Sequence, residues 1–314
     1  MRRVGTSSAT VAAAISVLLW SSAFVVIRFA GRELAPGPLA LARLLVASVA
    51  LGAVVAVRRE RLPRGRALLA AVAAGLLWFG LYNVALNAAE RRIDAGTSAL
   101  LVNTAPVFVA LLAGFALREG LPARLLIGCV VSFAGVGLIA AGVSRHAATS
   151  IWGAVLCIVA AVAYAVAMVV QKPALREYSA LAVTWVACLV ATVACLPFGV
   201  ELVGEVGRAR ASDVLWSVYL GVGPSAIGFV AWAFALARTD AGRLGVTTYL
   251  VPPLSVLLGW IALGETPPLL ALPGGCLCLL GVAVARGLSA RALIGLRTRA
   301  AAPVRAGRNT GPRS

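Results

Sequence analysis

The chain has 314 residues, of which 61% are hydrophobic and only 12% are charged, and its mean hydropathy is +0.97. A soluble globular protein carries about 25% charged residues, so these values exclude that class and indicate an integral membrane protein. The formal net charge of +17 would suit nucleic acid binding, but the basic residues lie mainly between apolar segments. We therefore expect no nucleic acid partner.

Ten apolar segments follow one another along the chain. A helix needs about 20 apolar residues to cross the hydrocarbon core, and the sequence lacks the ten-residue alternating pattern of a β-barrel. The sequence therefore predicts an all-α integral membrane protein with ten transmembrane helices. The segments cover residues 10–30, 38–57, 67–89, 96–117, 122–143, 151–171, 180–200, 214–236, 242–263 and 268–287.

The basic residues are distributed unevenly between the two sides of these segments. With the N-terminus in the cytoplasm, the cytoplasmic parts hold 20 of the 28 Lys and Arg residues and the outer loops hold 7. The positive-inside rule therefore predicts a multi-pass plasma membrane protein with both termini in the cytoplasm. The tail from 291 to 314 is rich in Arg, Pro and Gly, so we expect it to be disordered and drawn to anionic lipids.

The second segment contains Arg43, the only charge well inside a segment. An ionisable group within the membrane is a functional candidate, because leaving it in lipid costs at least a few kcal/mol. It could contact an anion or gate a cavity, and snorkelling to the outer head groups is the alternative.

In the third segment, Asn83 and Asn87 are four residues apart and therefore share a helix face with Phe79. Aromatic and amide side chains together would hold an organic solute by stacking and hydrogen bonding. Outside the fourth and ninth segments, the candidates for such a cavity are Trp20, Arg43, Tyr82, Asn83, Asn87, Tyr164, Gln171 and Trp185.

The fourth segment begins with the stretch "DAGTSALLVNTAPVF", which places Pro106 in the middle of an apolar run. A shift of 146 residues aligns this stretch with "DAGRLGVTTYLVPPL", and 13 of the 42 positions from 94 to 135 are then identical. Chance would produce about four such identities, so the chain contains an internal repeat. Segment 18–29 also resembles the stretch around Tyr164 at a shift of 144.

Each half of the chain therefore contains five segments. Because five is odd, the second copy enters the membrane from the opposite side, which predicts two inverted five-helix repeats. We place the first repeat at 1–146, the second at 147–290, and the basic tail at 291–314. Such pairs suit alternating access, in which two halves rock about a central site.

The repeat also pairs Pro106 with Pro252. Each proline removes a helix hydrogen bond and frees a carbonyl group, which is tolerated where protein or water satisfies it. Polar residues precede both prolines, so we expect these positions to line a cavity, and helix bending for packing alone is the alternative. The positions are Asn103, Thr104, Pro106, Thr248, Tyr249 and Pro252.

Glu119 and Glu265 follow the fourth and ninth segments, where a carboxylate meets the unfavourable negative end of the helix dipole. Each could close a gate by pairing with an Arg or with backbone N–H groups at the next helix start. A plain turn ahead of Pro122 or Pro268 is the alternative. Asp94, at the start of the fourth segment, is predicted to be an N-cap.

Catalytic and metal-binding patterns are missing from the sequence. The six cysteines form no CxxC pair, and His146 is the only histidine. We therefore expect no metal site, no cofactor and no catalytic residue. No phosphate-binding GxxxxGK[ST] motif occurs either, which excludes ATP drive within the chain.

Several stretches resemble the EamA branch of the drug/metabolite transporter superfamily. They are "LLWSSAFVVIRF", "PLALARLLVA" with Arg43, "TAPVFVALLAGFALREGLPARLLIGCVVSFAGVGL" and its copy "LVPPLSVLLGWIALGETPPLLALPGGCLCLLGVAV". The resemblance implies ten helices in two inverted repeats and a place in the bacterial inner membrane. It also implies efflux of amino acids, metabolites or toxic compounds. The double proline at 252 and 253 departs from the first copy.

These observations favour a secondary transporter that exports a small organic solute, such as an amino acid, metabolite or drug, by alternating access. Import or exchange of a related metabolite is one alternative. A membrane-embedded lipid-modifying enzyme is another, although it would need a catalytic constellation that the sequence lacks. We expect a small-molecule substrate and no enzyme activity, and the sequence leaves a homodimer open.

Overall fold

A computed structural model describes residues 4–105, 107–109, 112, 123–143, 148–236, 247–267 and 269–285. The regular structure among these residues is entirely helical and includes no β-strand. The predicted all-α class is therefore confirmed. The predicted basic tail lies outside the described residues.

The described α-helices are numbered in chain order. Those of the first half are α1 (Val4–Ala30), α2 (Pro36–Arg58), α3 (Gly65–Ala74), α4 (Tyr82–Glu90), α5 (Ala95–Val102) and α6 (Ala123–Val143). Those of the second half are α7 (Ala148–Gln171), α8 (Ala174–Glu177), α9 (Ala180–Cys195), α10 (Gly199–Val206), α11 (Ala211–Leu220), α12 (Phe229–Leu236), α13 (Val251–Leu263) and α14 (Ala271–Ala285). Two π-helices, Gly75–Leu81 and Gly221–Gly228, and two 3₁₀-helices, Leu196–Phe198 and Thr248–Leu250, connect some of them.

Six helical stretches are long and apolar enough to cross a membrane, and they coincide with six of the ten predicted segments. The described parts of the other four segments form shorter apolar helices, so ten crossings remain a prediction. The six stretches are Ser8–Ala30, Pro36–Arg58, Gly65–Glu90, Ile151–Gln171, Ala180–Val206 and Ala211–Ala235.

The N-terminus of α5 has the cap that the sequence predicts. The Asp94 side chain accepts a hydrogen bond of 2.8 Å from the backbone N–H of Thr97. This bond satisfies one of the donors that a helix start leaves without an intrahelical partner. The predicted N-cap role of Asp94 is therefore confirmed.

Helices α2 and α9 pack against each other in opposite directions. The Ser48 and Thr192 hydroxyl oxygens are 2.9 Å apart, and these residues lie 144 positions apart, which is a repeat-equivalent spacing. Farther along α2, Gly52 faces the Trp185 ring, which belongs to an earlier turn of α9. Because the residue number rises along α2 while that of its contact falls along α9, the two helices are antiparallel.

The pair α6 and α14 shows the same relation. The Ser132 hydroxyl donates to the Cys278 carbonyl at 3.1 Å, and the Cys278 thiol donates to the Ser132 carbonyl at 3.4 Å. Such reciprocal contacts between equivalent positions mark a two-fold relation. The neighbouring close approaches, which only residues without a Cβ allow, are Gly135 with the Gly274 carbonyl and Gly281 with the Gly128 carbonyl.

The two π-helices begin at repeat-equivalent glycines, Gly75 and Gly221, which the sequence analysis did not single out. Each glycine contacts a helix of the other half. A Cβ added to Gly75 would lie 2.5 Å from the Ala187 carbonyl oxygen, and one added to Gly221 would lie 2.8 Å from that of Arg43. These segments therefore bring the backbones of the two halves together, and π-helical turns often occur at functional sites.

Candidate functional site

A cavity of about 100 Å³ lies where the two halves meet. Helices α1, α2, α4, α5, α7, α12 and α13 and both π-helices contribute side chains to it. The cavity is smaller than the roughly 150 Å³ apolar cavity that accepts benzene in an engineered protein. Its volume in this conformation therefore suits a small solute.

Aromatic rings form one wall of this cavity. Trp78 lies at its centre, with its ring centroid 5.0 Å from that of Tyr164 and 4.6 Å from that of Phe229. Trp20 contacts Phe229 with a centroid distance of 5.6 Å, and Tyr82 also lines the cavity. Such rings offer apolar area and negative faces that attract cations.

Arg43 brings a positive charge to the cavity. Its side chain is 3% exposed, and its Nε and Nη2 atoms donate to the Ser225 hydroxyl at 3.2 and 3.1 Å. Its Nη1 atom has no hydrogen-bond partner among the described residues, and the described lining contains no acidic residue. A buried guanidinium of this kind is suited to bind a carboxylate or another anion.

Asn103 places an amide group at the same cavity, just after the last turn of α5. Its Nδ2 atom donates to the Thr248 carbonyl at 2.9 Å, so it links the polar segments that precede Pro106 and Pro252. Its Oδ1 atom is buried and accepts no hydrogen bond from a described residue. This oxygen can accept a hydrogen bond from a solute.

The second π-helix completes the lining with Pro224. The Pro224 carbonyl accepts a hydrogen bond of 3.3 Å from the indole nitrogen of Trp20, and the Gly228 carbonyl accepts one of 2.8 Å from Ser16. Side chains of α1 therefore satisfy carbonyl groups of this π-helix.

The sequence analysis missed Trp78, Pro224 and Phe229 as lining residues. Trp78 and Pro224 lie 146 residues apart and are therefore repeat equivalents. That spacing, together with the paired glycines Gly75 and Gly221 one turn earlier, was the available signal.

The structure brings together six of the residues that the sequence analysis proposed for a cavity. These are Trp20, Arg43, Tyr82, Asn103, Tyr164 and Thr248. The other described candidates lie outside the described lining, namely Asn83, Asn87, Thr104, Gln171, Trp185 and Pro252. Pro106, Glu119 and the Tyr249 side chain lie outside the described residues.

Several of the outlying candidates bond to the protein itself. Asn83 donates to the Phe79 carbonyl at 2.6 Å, and Asn87 donates to that of Pro36 at 3.1 Å. Thr104 donates to the Leu101 carbonyl, and the Trp185 indole donates to that of Ser48. The bonds of Asn87 and Trp185 join neighbouring helices, whereas those of Asn83 and Thr104 are local.

Glu265 forms a closed cluster at one end of the bundle. Its carboxylate accepts hydrogen bonds from both Nε, at 2.7 Å, and Nη2 of Arg28, and from the backbone N–H of Ala95 at 3.2 Å. The sequence predicted a partner that is either an Arg or the N–H groups of the next helix; Arg28 is such an Arg, whereas the N–H group belongs to Ala95 at the start of α5. The contact joins α1, α5 and the turn after α13. The gate role of Glu265 remains a prediction.

A second cavity of about 400 Å³ lies beside this cluster and has a largely polar lining. Ile27 borders both this cavity and the central one. Glu90, at the end of α4, also lines it, and Arg28 donates its Nη1 hydrogen to the Glu90 carbonyl.

Comparison with known families covers nearly the whole chain. The family model described as "EamA-like transporter family" matches residues 7–141 and 151–287. A solved crystal structure aligns with a TM-score of 0.61 at 22% identity, over 90% of this chain and 98% of the other. At that identity the likeness shows the fold alone.

Curated relatives carry transporter names. The "Probable terminal-alkyne amino-acid exporter" of Streptantibioticus cattleyicolor is 37% identical over 300 residues, which cover 95% of this chain and 99% of the relative. The "Uncharacterized transporter YdfC" of Bacillus subtilis is 33% identical over 84% of this chain and 86% of its own. The "Uncharacterized inner membrane transporter YedA" of Escherichia coli K12 is 27% identical over 79% and 81%, respectively.

Proposed function

The chain belongs to the EamA-like transporter family, and from this premise we propose that it exports a small amino acid with an apolar side chain by alternating access. Its relatives are named as membrane transporters, and one of them is named as an amino-acid exporter. The observation that carries the substrate class is the Arg43 guanidinium, which faces an aromatic cavity without an acidic partner in its described lining.

Arg43 would bind the carboxylate of the solute. A buried cation without a counter-ion is costly, and an incoming carboxylate removes that cost through a charge-assisted hydrogen bond. The Nη1 hydrogens are the free donors for this bond, while Ser225 holds the other side of the guanidinium in place.

The ammonium group of the same solute would bind opposite this charge. The Asn103 Oδ1 atom is a buried acceptor at the cavity, and the faces of Trp20 and Tyr82 attract cations. Both charged groups of a zwitterion would therefore find partners in the cavity. Its side chain would lie against the aromatic rings of the lining. The described cavity of about 100 Å³ is smaller than such a zwitterion, so binding requires the lining to widen, and we expect a side chain of only a few carbon atoms.

Alternating access requires two halves of opposite orientation. We propose ten transmembrane helices in two inverted repeats, at 1–146 and 147–290, and the antiparallel packing of α2 with α9 and of α6 with α14 supports this arrangement. With both termini in the cytoplasm, the cluster of Arg28 and Glu265 faces the outside. The described conformation is then sealed at its outer end, and breaking this cluster would release the solute outward.

Counterflow in proteoliposomes tests this function. Purified protein should exchange labelled L-propargylglycine, a terminal-alkyne amino acid, and should not exchange its methyl ester, which lacks the carboxylate. Arg43→Gln should lower the exchange rate at least about tenfold, because a hydrogen bond to a charged group contributes about 1.5–3 kcal/mol.

Arg58→Gln is the matched control, since Arg58 is an exposed residue at the end of the same helix. It should exchange at the wild-type rate. Equal exchange of the ester and the free amino acid, or full activity of Arg43→Gln, would contradict the proposed carboxylate contact.

A further inference from the structure

Glu90 is a buried carboxyl group that the proposed solute site does not use. Its residue is 1% exposed, and neither of its carboxyl oxygens accepts a hydrogen bond from any residue that the structure describes. Glu265, at the same end of the bundle, accepts three. A charged carboxylate in the position of Glu90 would be costly, since it has neither a counter-ion contact nor a donor.

Arg28 lies between these two acidic residues. It directs Nε and Nη2 to the Glu265 carboxylate, and it gives Nη1 to the main-chain carbonyl of Glu90 rather than to its side chain. One guanidinium thus neutralises one carboxylate, and the other is left without its charge partner. The arrangement is stable when Glu90 carries a proton.

Each element that packs against Glu90 brings a charged or titratable group near its carboxyl. Asp94 and Glu265 add negative charge, whereas Arg28 opposes it. The Cys157 thiol of α7 lies near the same carboxyl. Arg32 and Arg91 line the adjoining polar cavity of about 400 Å³, which Glu90 also lines.

A polar face of α4 continues from Glu90 towards the level of the central cavity. Asn87 and Asn83 lie three and seven positions before Glu90, so all three residues share one helix face. Both asparagines are 1% exposed, and the Oδ1 atom of each accepts no hydrogen bond from the described part of the chain. Tyr82 and Leu86, on the adjacent face, line the central cavity. The amide oxygens therefore form a row of buried acceptors without described donors alongside the solute site.

We propose that Glu90 binds the proton whose inward movement drives export, an inference that rests on the transport function proposed above. A hydronium ion from the outer water transfers its proton to the Glu90 carboxylate and leaves as water. Arg28, no longer attracted to Glu90, then pairs with Glu265 and seals the outer end. After the inner end opens, water that reaches the face of Asn87 and Asn83 accepts the proton from Glu90 and leaves to the cytoplasm as hydronium. The restored carboxylate then draws Arg28 away from Glu265, and one proton enters for each solute exported.

Proteoliposomes with an acidic lumen distinguish proton-driven accumulation of the solute from transport without a proton gradient. The wild type should accumulate L-propargylglycine up to about tenfold for a gradient of one pH unit, because one exchanged proton contributes that factor. Glu90→Gln, which resembles the protonated carboxyl, should lose this accumulation, and its counterflow should persist at a lower rate because the outer end then opens without the pull of a carboxylate on Arg28. Glu201→Gln changes an exposed carboxylate at the predicted outer end of another span and should behave like the wild type.

A pyranine dye in the lumen provides a second test that needs no variant. Downhill entry of L-propargylglycine into vesicles of wild-type protein should raise the lumenal pH as protons leave. Accumulation by Glu90→Gln equal to wild type, or solute entry without a pH change, would overturn the inference. Loss of wild-type counterflow would instead contradict the export function itself.

Discussion

Arg43 and Arg28 show how the surroundings of a single residue decide what it can do. Arg43 is buried beside a neutral hydroxyl and lines a cavity whose described lining contains no acidic residue, so no described carboxylate of this lining balances its charge. Arg28 donates to a carboxylate and a carbonyl of two other elements, so its charge holds the protein together. We therefore propose that the same side chain serves binding in one place and closure in the other.

The ion pair of Arg28 and Glu265 can be tested by a double-mutant cycle. Each of Arg28→Gln and Glu265→Gln should lower the melting temperature in detergent, and the double variant should fall little further, because either change removes the same interaction. We expect a coupling energy of about 1 kcal/mol, since two Arg28 donors share one Glu265 oxygen and the pair is partly exposed to solvent.

Arg92→Gln serves as the control at the same end of the bundle, because Arg92 is exposed and bonds only to a main-chain carbonyl within the described part of the chain. Its melting temperature should match the wild type. Strictly additive losses for Arg28 and Glu265 would contradict a direct coupling between them.

At the scale of elements, the paired π-helices carry the contact between the halves. Gly75 and Gly221 each lie against a carbonyl of a helix from the other half, and aromatic or proline residues of the same π-helices line the cavity. Each π-helix thus lies between the contact surface of the two halves and the proposed solute site. A rocking motion of the halves would change both together.

Substitution of one glycine tests this contact. Gly75→Ala should destabilise the protein by about 1–3 kcal/mol, because the new methyl group would lie 2.5 Å from the Ala187 carbonyl, which is backbone and cannot move freely. Gly137→Ala is the matched control, since no atom lies within 4 Å of a Cβ at that helical position.

Thermal unfolding followed by size-exclusion chromatography measures both variants. Gly137→Ala should be neutral or slightly more stable, because alanine favours a helix over glycine by up to about 1 kcal/mol. Equal stability of Gly75→Ala and Gly137→Ala would show that the two halves tolerate separation at this point.

At the scale of the whole molecule, the proposed topology assigns every connection to one side of the membrane. Arg92→Cys, after α4, should react in intact cells with a membrane-impermeant maleimide, whereas Arg176→Cys, in α8, should react only after lysis. Both are made in a chain whose native cysteines are replaced by serine. Labelling of both positions from the same side would contradict the inverted arrangement.

The sequence alone determined the membrane class, the apolar segments, the repeat and the family resemblance, because hydropathy and residue spacing are local properties. It also identified Arg43 as a charge inside a segment and Asp94 as a helix cap. Glu265 likewise stood out as a carboxylate that needs a partner, since the dipole at the end of a helix disfavours it.

Only the tertiary structure decided which faces of the helices meet. Lipid tails are as apolar as leucine, so a membrane helix need not have a polar side, and periodicity alone does not show which residues point inward. Phe229 therefore could not be assigned to the cavity from the sequence, and for Trp78 the repeat spacing was the only signal. The partner of Glu265 lies 237 residues away along the chain, and the isolation of Glu90 depends on that same contact. Such pairings arise only when the two halves are packed together.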